Sequence, residues 1–134
     1  LRERIRLESP KDTNLRLLQL LGLPPTSQYS HFVEFWVRPG DLFRPCPDSE
    51  IWDRSCDLCF PEGTSQEHIR WINENRISRY YQCDLYNQYP WGQLGYTYDW
   101  NPKNKSHVGL SEFIIGAGKT IYVKRIVTTQ EYLR

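Results

Sequence analysis

The chain has 134 residues, with 17 basic and 16 acidic side chains and a net charge of +1. That length fits one domain, and that balance argues against both a disordered chain held open by like charge and a protein that grips nucleic acid mainly through counterion release. Hydrophobic residues make up only 39%, but aromatic rings make up 14%, so ring area stands in for part of a sparse aliphatic core.

No run approaches the roughly 18 apolar residues of a membrane span, so neither a membrane nor bulk nucleic acid is expected as a partner. The chain begins at Leu1 and contains no methionine. This fits a mature product or a domain cut from a longer polypeptide.

Residues 1–12 are charged, mixed and interrupted by Pro10, and read as a lead-in segment or the end of a linker; residues 13–134 read as one domain. From Thr13 to Leu21 the spacing of Leu15, Leu18 and Leu21 predicts a helix, with Thr13 able to cap it and Gly22 and Pro24 ending it. His31 to Val37 is rich in β-branched and aromatic residues and predicts a strand. One face carries His31, Val33, Phe35 and Val37, and the other Phe32, Glu34 and Trp36.

Residues 38–63 form a long irregular stretch containing Pro39, Pro45, Pro47 and Pro61. A loop of this length in a small domain is usually functional or cross-linked. Thr64 and Glu67 make a capping-box pattern that opens a second helix to about Tyr81. Its buried stripe is expected at Ile69, Ile72, Ile77 and Tyr80, with Trp71 beside it. Leu94 to Trp100 reads as a strand with Tyr96, Tyr98 and Trp100 on one face. Ser111–Ile115 and Thr120–Thr128 read as two strands, and Gly116–Lys119 suits a hairpin turn between them. Together the elements predict a single compact α+β domain, two helices packed on a mostly antiparallel sheet.

Four cysteines are present: Cys46, Cys56, Cys59 and Cys83. Cys56 and Cys59 have the C-x2-C spacing of a zinc knuckle or a redox pair, yet zinc needs two further ligands close by, and Cys46, Cys83 and His68 each stand apart. A thioredoxin-like pair needs a strand before it and a helix after it, whereas Pro61 and Gly63 follow here. The expectation is at least one disulfide, with Cys46 and Cys56 bracketing a short Pro- and Asp-rich loop, and no metal. Disulfides would place the chain in an oxidising compartment. The Gly116–Thr120 segment lacks the first glycine of a P-loop, since Phe113 stands there, and a strand rather than a helix follows it.

Glu112 is the most informative single residue. A carboxylate that opens an apolar strand is costly unless it is paired, hydrated or used. The segment from Ser111 to Ile126, with its glutamate leading into an apolar strand, a glycine turn and a second strand Ile121-Tyr-Val-Lys-Arg-Ile126, resembles the C-terminal strand pair of ADP-ribosyltransferase toxins. The resemblance implies NAD as substrate, with Glu112 catalytic. Its carboxylate would bond the ribose 2′-hydroxyl and stabilise the charge that develops as nicotinamide leaves. It also implies His31 on the first strand as a second catalytic residue holding the ribose, as in the histidine branch of that family. Tyr80, Tyr96 or Tyr98 would stack on the nicotinamide ring, with Trp100 on the same binding surface.

Leu110, two residues before Glu112, replaces the Glu or Gln of the arginine-modifying enzymes and argues against that chemistry. The resemblance further implies a secreted or delivered protein, a macromolecular target beside NAD, and room for a cognate inhibitor protein. Two other classes stay open. His31 and His107 with Lys119 or Arg44 could run metal-free RNA cleavage. Alternatively Tyr86, Tyr89, Trp91, Tyr96, Tyr98 and Trp100 could form a non-catalytic surface for a protein or glycan.

Overall fold

The computed structural model describes residues 1–80 and 91–134, without the side chains of 77–80. The side chain of Tyr80, together with Cys83, Tyr86 and Tyr89, lies outside the described residues. The expected α+β class holds: helices combine with strands that pair only antiparallel among the described residues. Among the described residues the strands form three two-stranded ladders rather than one sheet.

The lead-in segment contains helix α1 (Arg2–Glu8), whose Ile5 is buried. Helix α2 (Thr13–Leu20) starts at the expected residue, but Asp12 rather than Thr13 caps it, accepting from Leu15 N at 2.9 Å. Its buried residues are Arg16, Leu17, Gln19 and Leu20. The predicted stripe of Leu15, Leu18 and Leu21 is therefore rotated, and Leu15 is exposed. The cause is Arg16, which is drawn inward by carboxylates and turns its neighbours with it. Leu17 and Leu20 pack with Ile5, and Leu1, Phe32, Leu110 and Leu133 close around them. This small cluster joins both chain ends to the middle of the sequence.

Strand β1 (His31–Trp36) pairs with β6 (Tyr122–Thr128), from His31 opposite Thr128 to Trp36 opposite Tyr122. A bulge at Glu34/Phe35 leaves Lys124 out of the register. The face carrying Phe32 turns to the core, and Phe32 stacks on Tyr132 with ring centres 4.2 Å apart. The face carrying Val33, Phe35, Val123 and Ile126 is exposed. A short helix, α4 (Thr129–Leu133), follows β6 behind a capping box in which Thr128 and Glu131 satisfy each other's backbone.

After one 3₁₀ turn, Pro39–Asp41, strand β2 (Leu42–Phe43) leads into the irregular stretch. Helix α3 (Gln66–Tyr80) follows, capped by Ser65 rather than Thr64: the Ser65 hydroxyl accepts from His68 N at 3.2 Å, while the Thr64 hydroxyl donates to Pro61 O at 2.7 Å. His68 joins Ile72 on its buried side, a position the aliphatic periodicity does not mark.

Strand β3 (Tyr96–Tyr98) pairs with β4 (Val108–Ser111), and β5 (Ile114–Ile115) pairs with β2. This overturns the predicted C-terminal hairpin. Lys119 N does close a turn on Gly116 O at 3.2 Å, but the two flanking strands separate. β5 is held to Leu42–Phe43, and β6 to β1, where the longer ladder gains more backbone pairs. The predicted single strand 111–115 is likewise divided at Glu112, between β4 and β5: the Glu112 N–H still donates to Gly95 O at 2.9 Å, on the side of β3, while Ile114 and Ile115 pair with β2.

Candidate functional site

The break at Glu112 shapes a small pocket of about 210 Å³. Glu112 lines it together with Tyr98 from β3, Trp71 and Asn75 from α3, and Trp91. The backbone turn at residues 21–23 closes one side. Trp71 and Asn75 are four residues apart on a helix and so share one face, and the Asn75 amide donates to Trp71 O at 2.9 Å.

The ring wall is continuous. Trp71 meets Phe43 edge-on at 4.9 Å and Trp91 edge-on at 5.7 Å, the T-shaped geometry that aromatic quadrupoles prefer. Across the pocket, the Tyr98 ring stacks on His107 at 5.0 Å. The His107 Nδ1 lies 2.8 Å from Asp99 O, which fixes the ring, and His107 itself sits at a left-handed φ of 54°. Trp100 acts on the pocket from outside, its indole N–H donating to Leu23 O at 2.9 Å and so holding the 21–23 turn.

A second hollow lies beyond that turn. It is a wide groove of about 1290 Å³ lined by Leu17, Leu18, Phe32, Leu133 and others, with His31 on its rim. Leu21 and Leu23 line both hollows and stand between them. His31 is exposed, and its Nδ1 lies 2.8 Å from Ser30 Oγ. Of the residues predicted for the site, Glu112 and Tyr98 share one pocket, whereas His31 faces the other hollow. Tyr96 pairs opposite Ser111 in the ladder. Trp71 and Asn75, absent from the predicted set, complete the pocket instead. The signal for them was their i, i+4 spacing beside the buried stripe of α3.

The best-formed electrostatic feature sits directly behind the pocket. Asp99 has no exposed surface and accepts from Arg16 at 2.8 Å on each oxygen, from Asn104 at 2.8 Å and from the backbone of Asn101 at 3.1 Å. Burial pushes its carboxyl up, but the Arg16 guanidinium and the two asparagine donors outweigh this and hold it below the usual range. Arg16 also grips Glu8, and Arg4 reaches Glu8 at 3.1 Å and Asp99 at 3.3 Å. This network ties α1 and α2 to the segment between β3 and β4, and so sets the position of Tyr98 and His107.

Elsewhere, Cys46 and Cys56 form a disulfide, while Cys59 is free and exposed. The bond is compatible with an extracellular setting. Among the described residues, no group of three or more His, Cys, Asp or Glu side chains is placed to hold a metal, and no helix is long and apolar enough to cross a membrane. Lys119 of the P-loop-like segment makes an ion pair with Asp41 at 3.3 Å, as expected of a turn rather than a phosphate cradle.

No protein-family model, no curated protein and no solved structure matches this chain. What fold and site define is an α+β chain with a carboxylate set in an aromatic pocket.

Proposed function

We propose that the pocket takes the nicotinamide ring and adjoining ribose of NAD and that the protein cleaves the bond between them, passing ADP-ribose to a macromolecular target or to water. The observation that carries this reading is the placement of Glu112 in one pocket with Trp71, Trp91 and Tyr98. Flat rings beside a carboxylate suit a substrate that is itself a flat ring on a sugar and that becomes cationic as the ring leaves. At about 210 Å³ the pocket is smaller than the roughly 300–1,000 Å³ of drug-sized sites. It suits the ring and part of the ribose, with the rest of the dinucleotide outside.

In this reading Glu112 bonds the ribose 2′-hydroxyl and stabilises the developing charge, and Tyr98 or Trp91 stacks on the base. Asn75 is the side chain suited to the carboxamide. His31 has no part in it. A secreted or delivered toxin, met in its target cell by an inhibitor protein, is the biological setting this chemistry fits.

The test is NAD consumption by the purified chain, beside Glu112→Gln. Turnover that the variant loses by about two to three orders of magnitude is expected, in line with removal of one preorganised electrostatic group. No turnover by the unaltered chain, with no quenching of tryptophan fluorescence by NAD, overturns the reading.

The small size of the pocket favours one second reading, a non-catalytic module that binds a single sugar or ring against Trp71 and Trp91. It predicts ligand quenching of fluorescence with no NAD loss. The ribonuclease reading gains no such observation: His31 lines the wide groove, whereas His107 is stacked on Tyr98 and lines neither hollow.

A further inference from the structure

Each sulfur of the Cys46–Cys56 bond stands against a group suited to its reduced form. The Cys46 sulfur lies 2.8 Å from Asp48 O. A disulfide sulfur has no proton to offer that carbonyl, whereas a thiol does. Beside Cys56 lies the Arg44 side chain, buried to within 5% of its surface. Its Nη1 donates to Ser55 O at 2.5 Å, and Asp53 is 3.9 Å away, yet its Nε is buried with no hydrogen-bond acceptor among the described residues. A buried donor left unmade on a charged group is costly and calls for an explanation.

Gly95 shows where that donor is. A Cβ at Gly95 would stand 2.6 Å from Cys56 Sγ and 3.1 Å from Arg44 Nε, so sulfur and guanidinium meet across the glycine. Three residues along the chain from Cys56, Cys59 presents an exposed thiol.

We infer that Cys46, Cys56 and Cys59 form a thiol–disulfide exchange site, in which Cys59 displaces Cys46 from Cys56. The Cys59 thiol gives its proton to water, and the thiolate attacks Cys56 Sγ. The Cys56–Cys59 bond forms as the Cys46–Cys56 bond breaks. The electron pair leaves on Cys46, which takes a proton from water, and the resulting S–H donates a hydrogen bond to Asp48 O. Cys59 is oxidised and Cys46 reduced, so no outside oxidant or reductant is needed. In the transition state the negative charge is spread over three sulfurs, and Arg44 lies beside the central one. The outcome moves the partner of the half-buried Cys56 from buried Cys46 to exposed Cys59. This inference does not rest on the NAD reading.

The test is disulfide mapping by mass spectrometry in a Cys83→Ser background, after incubation at mildly alkaline pH without added thiol, acid quenching and alkylation of free thiols. Two populations are expected, one with Cys59 alkylated and one with Cys46 alkylated, and the second absent in Cys59→Ser. Arg44→Gln should slow the approach to equilibrium by about tenfold, the effect of roughly 1.4 kcal/mol on a barrier, and Arg44→Lys by less. Finding only the Cys46–Cys56 bond at every time overturns the exchange. Exchange at an unchanged rate in folded Arg44→Lys or Arg44→Gln overturns the role given to Arg44.

Discussion

Arg16 holds Asp99 through two parallel hydrogen bonds of 2.8 Å, Nη1 to Oδ1 and Nη2 to Oδ2, with both side chains essentially closed to solvent. The residues are 83 apart in sequence. A bidentate guanidinium–carboxylate pair fixes angle as well as distance. Here it sets how α2 meets the segment behind β3, and through Asp99 it places His107 against Tyr98. The pocket's shape thus depends on an ion pair whose own side chains do not line it.

Removing one partner should therefore be severe. Asp99→Asn leaves the buried Arg16 with Glu8, its side chain 33% exposed, as the remaining carboxylate among the described residues. Breaking a buried pair in this way costs about 3–5 kcal/mol, a large share of the roughly 5–15 kcal/mol typical of a domain. A urea titration should show a loss of unfolding free energy of that size. Arg16→Lys, which keeps charge but loses the two-pronged geometry, should cost less but still measurably.

The same pair predicts acid sensitivity. The folded Asp99 carboxyl titrates below its ordinary value, because Arg16 and the asparagine donors overcome the opposing effect of burial. Glu8 is lowered too, chiefly by its bond from Arg16. A carboxyl with a depressed folded pKa adds stability that is full above its unfolded value of about 4 and is lost as pH falls through the folded value. Stability measured by urea at about pH 7, 4 and 3 should fall across that window. Asp99→Asn should flatten part of the fall, since one of the lowered carboxyls is gone. An equal slope in both proteins would remove Asp99 from this account.

Gly109 offers a packing test. A Cβ there would fall on Thr97 Oγ1 and its carbonyl and stand 2.7 Å from Leu20 O. Those atoms are backbone, or are held by it: Thr97 donates to Leu20 O at 2.5 Å and accepts from Leu110 N at 2.8 Å. Gly109→Ala should cost about 1–3 kcal/mol, the range for overpacking. Gly40 has nothing within 4 Å of such a carbon, and Gly40→Ala should stay within about 0.5 kcal/mol. Thermal unfolding of the two variants side by side checks the contrast.

Local patterns carried the elements further than their partners. The two main helices, the strand from His31 and the glycine turn at residues 116–119 follow from periodicity, caps and β-branched runs. Strand pairing did not, because it is decided by distant segments: β6 chooses β1, 91 residues away between Arg125 and Glu34. Nor did the orientation of α2, since nothing local shows that Arg16 will find a carboxylate at Asp99. Glu112 was legible as a carboxylate out of place among apolar neighbours. Its pocket was not, because Trp71 and Trp91 arrive from separate segments, and His31 parts from it only because β1 sits beyond the 21–23 turn.

Glu112 and the rings should separate by readout. Trp91 meets Trp71 edge-on at 5.7 Å and lines the pocket, so its role in the proposed site is to hold a flat ligand. Stacking of a base on such a ring is worth about 1–3 kcal/mol. Trp91→Ala should weaken NAD binding by roughly tenfold to a hundredfold while leaving the carboxylate in place. Glu112→Gln keeps size and hydrogen-bonding capacity but not charge. If the carboxylate acts on the developing cation, it should lower kcat and leave binding nearly unchanged, because interactions made only in the transition state do not show in ground-state affinity. Titration of tryptophan fluorescence with NAD, beside the rate of nicotinamide release, distinguishes the two. A Glu112→Gln variant that loses binding as fully as Trp91→Ala would make Glu112 a ligand-holding residue and remove the catalytic role proposed for it.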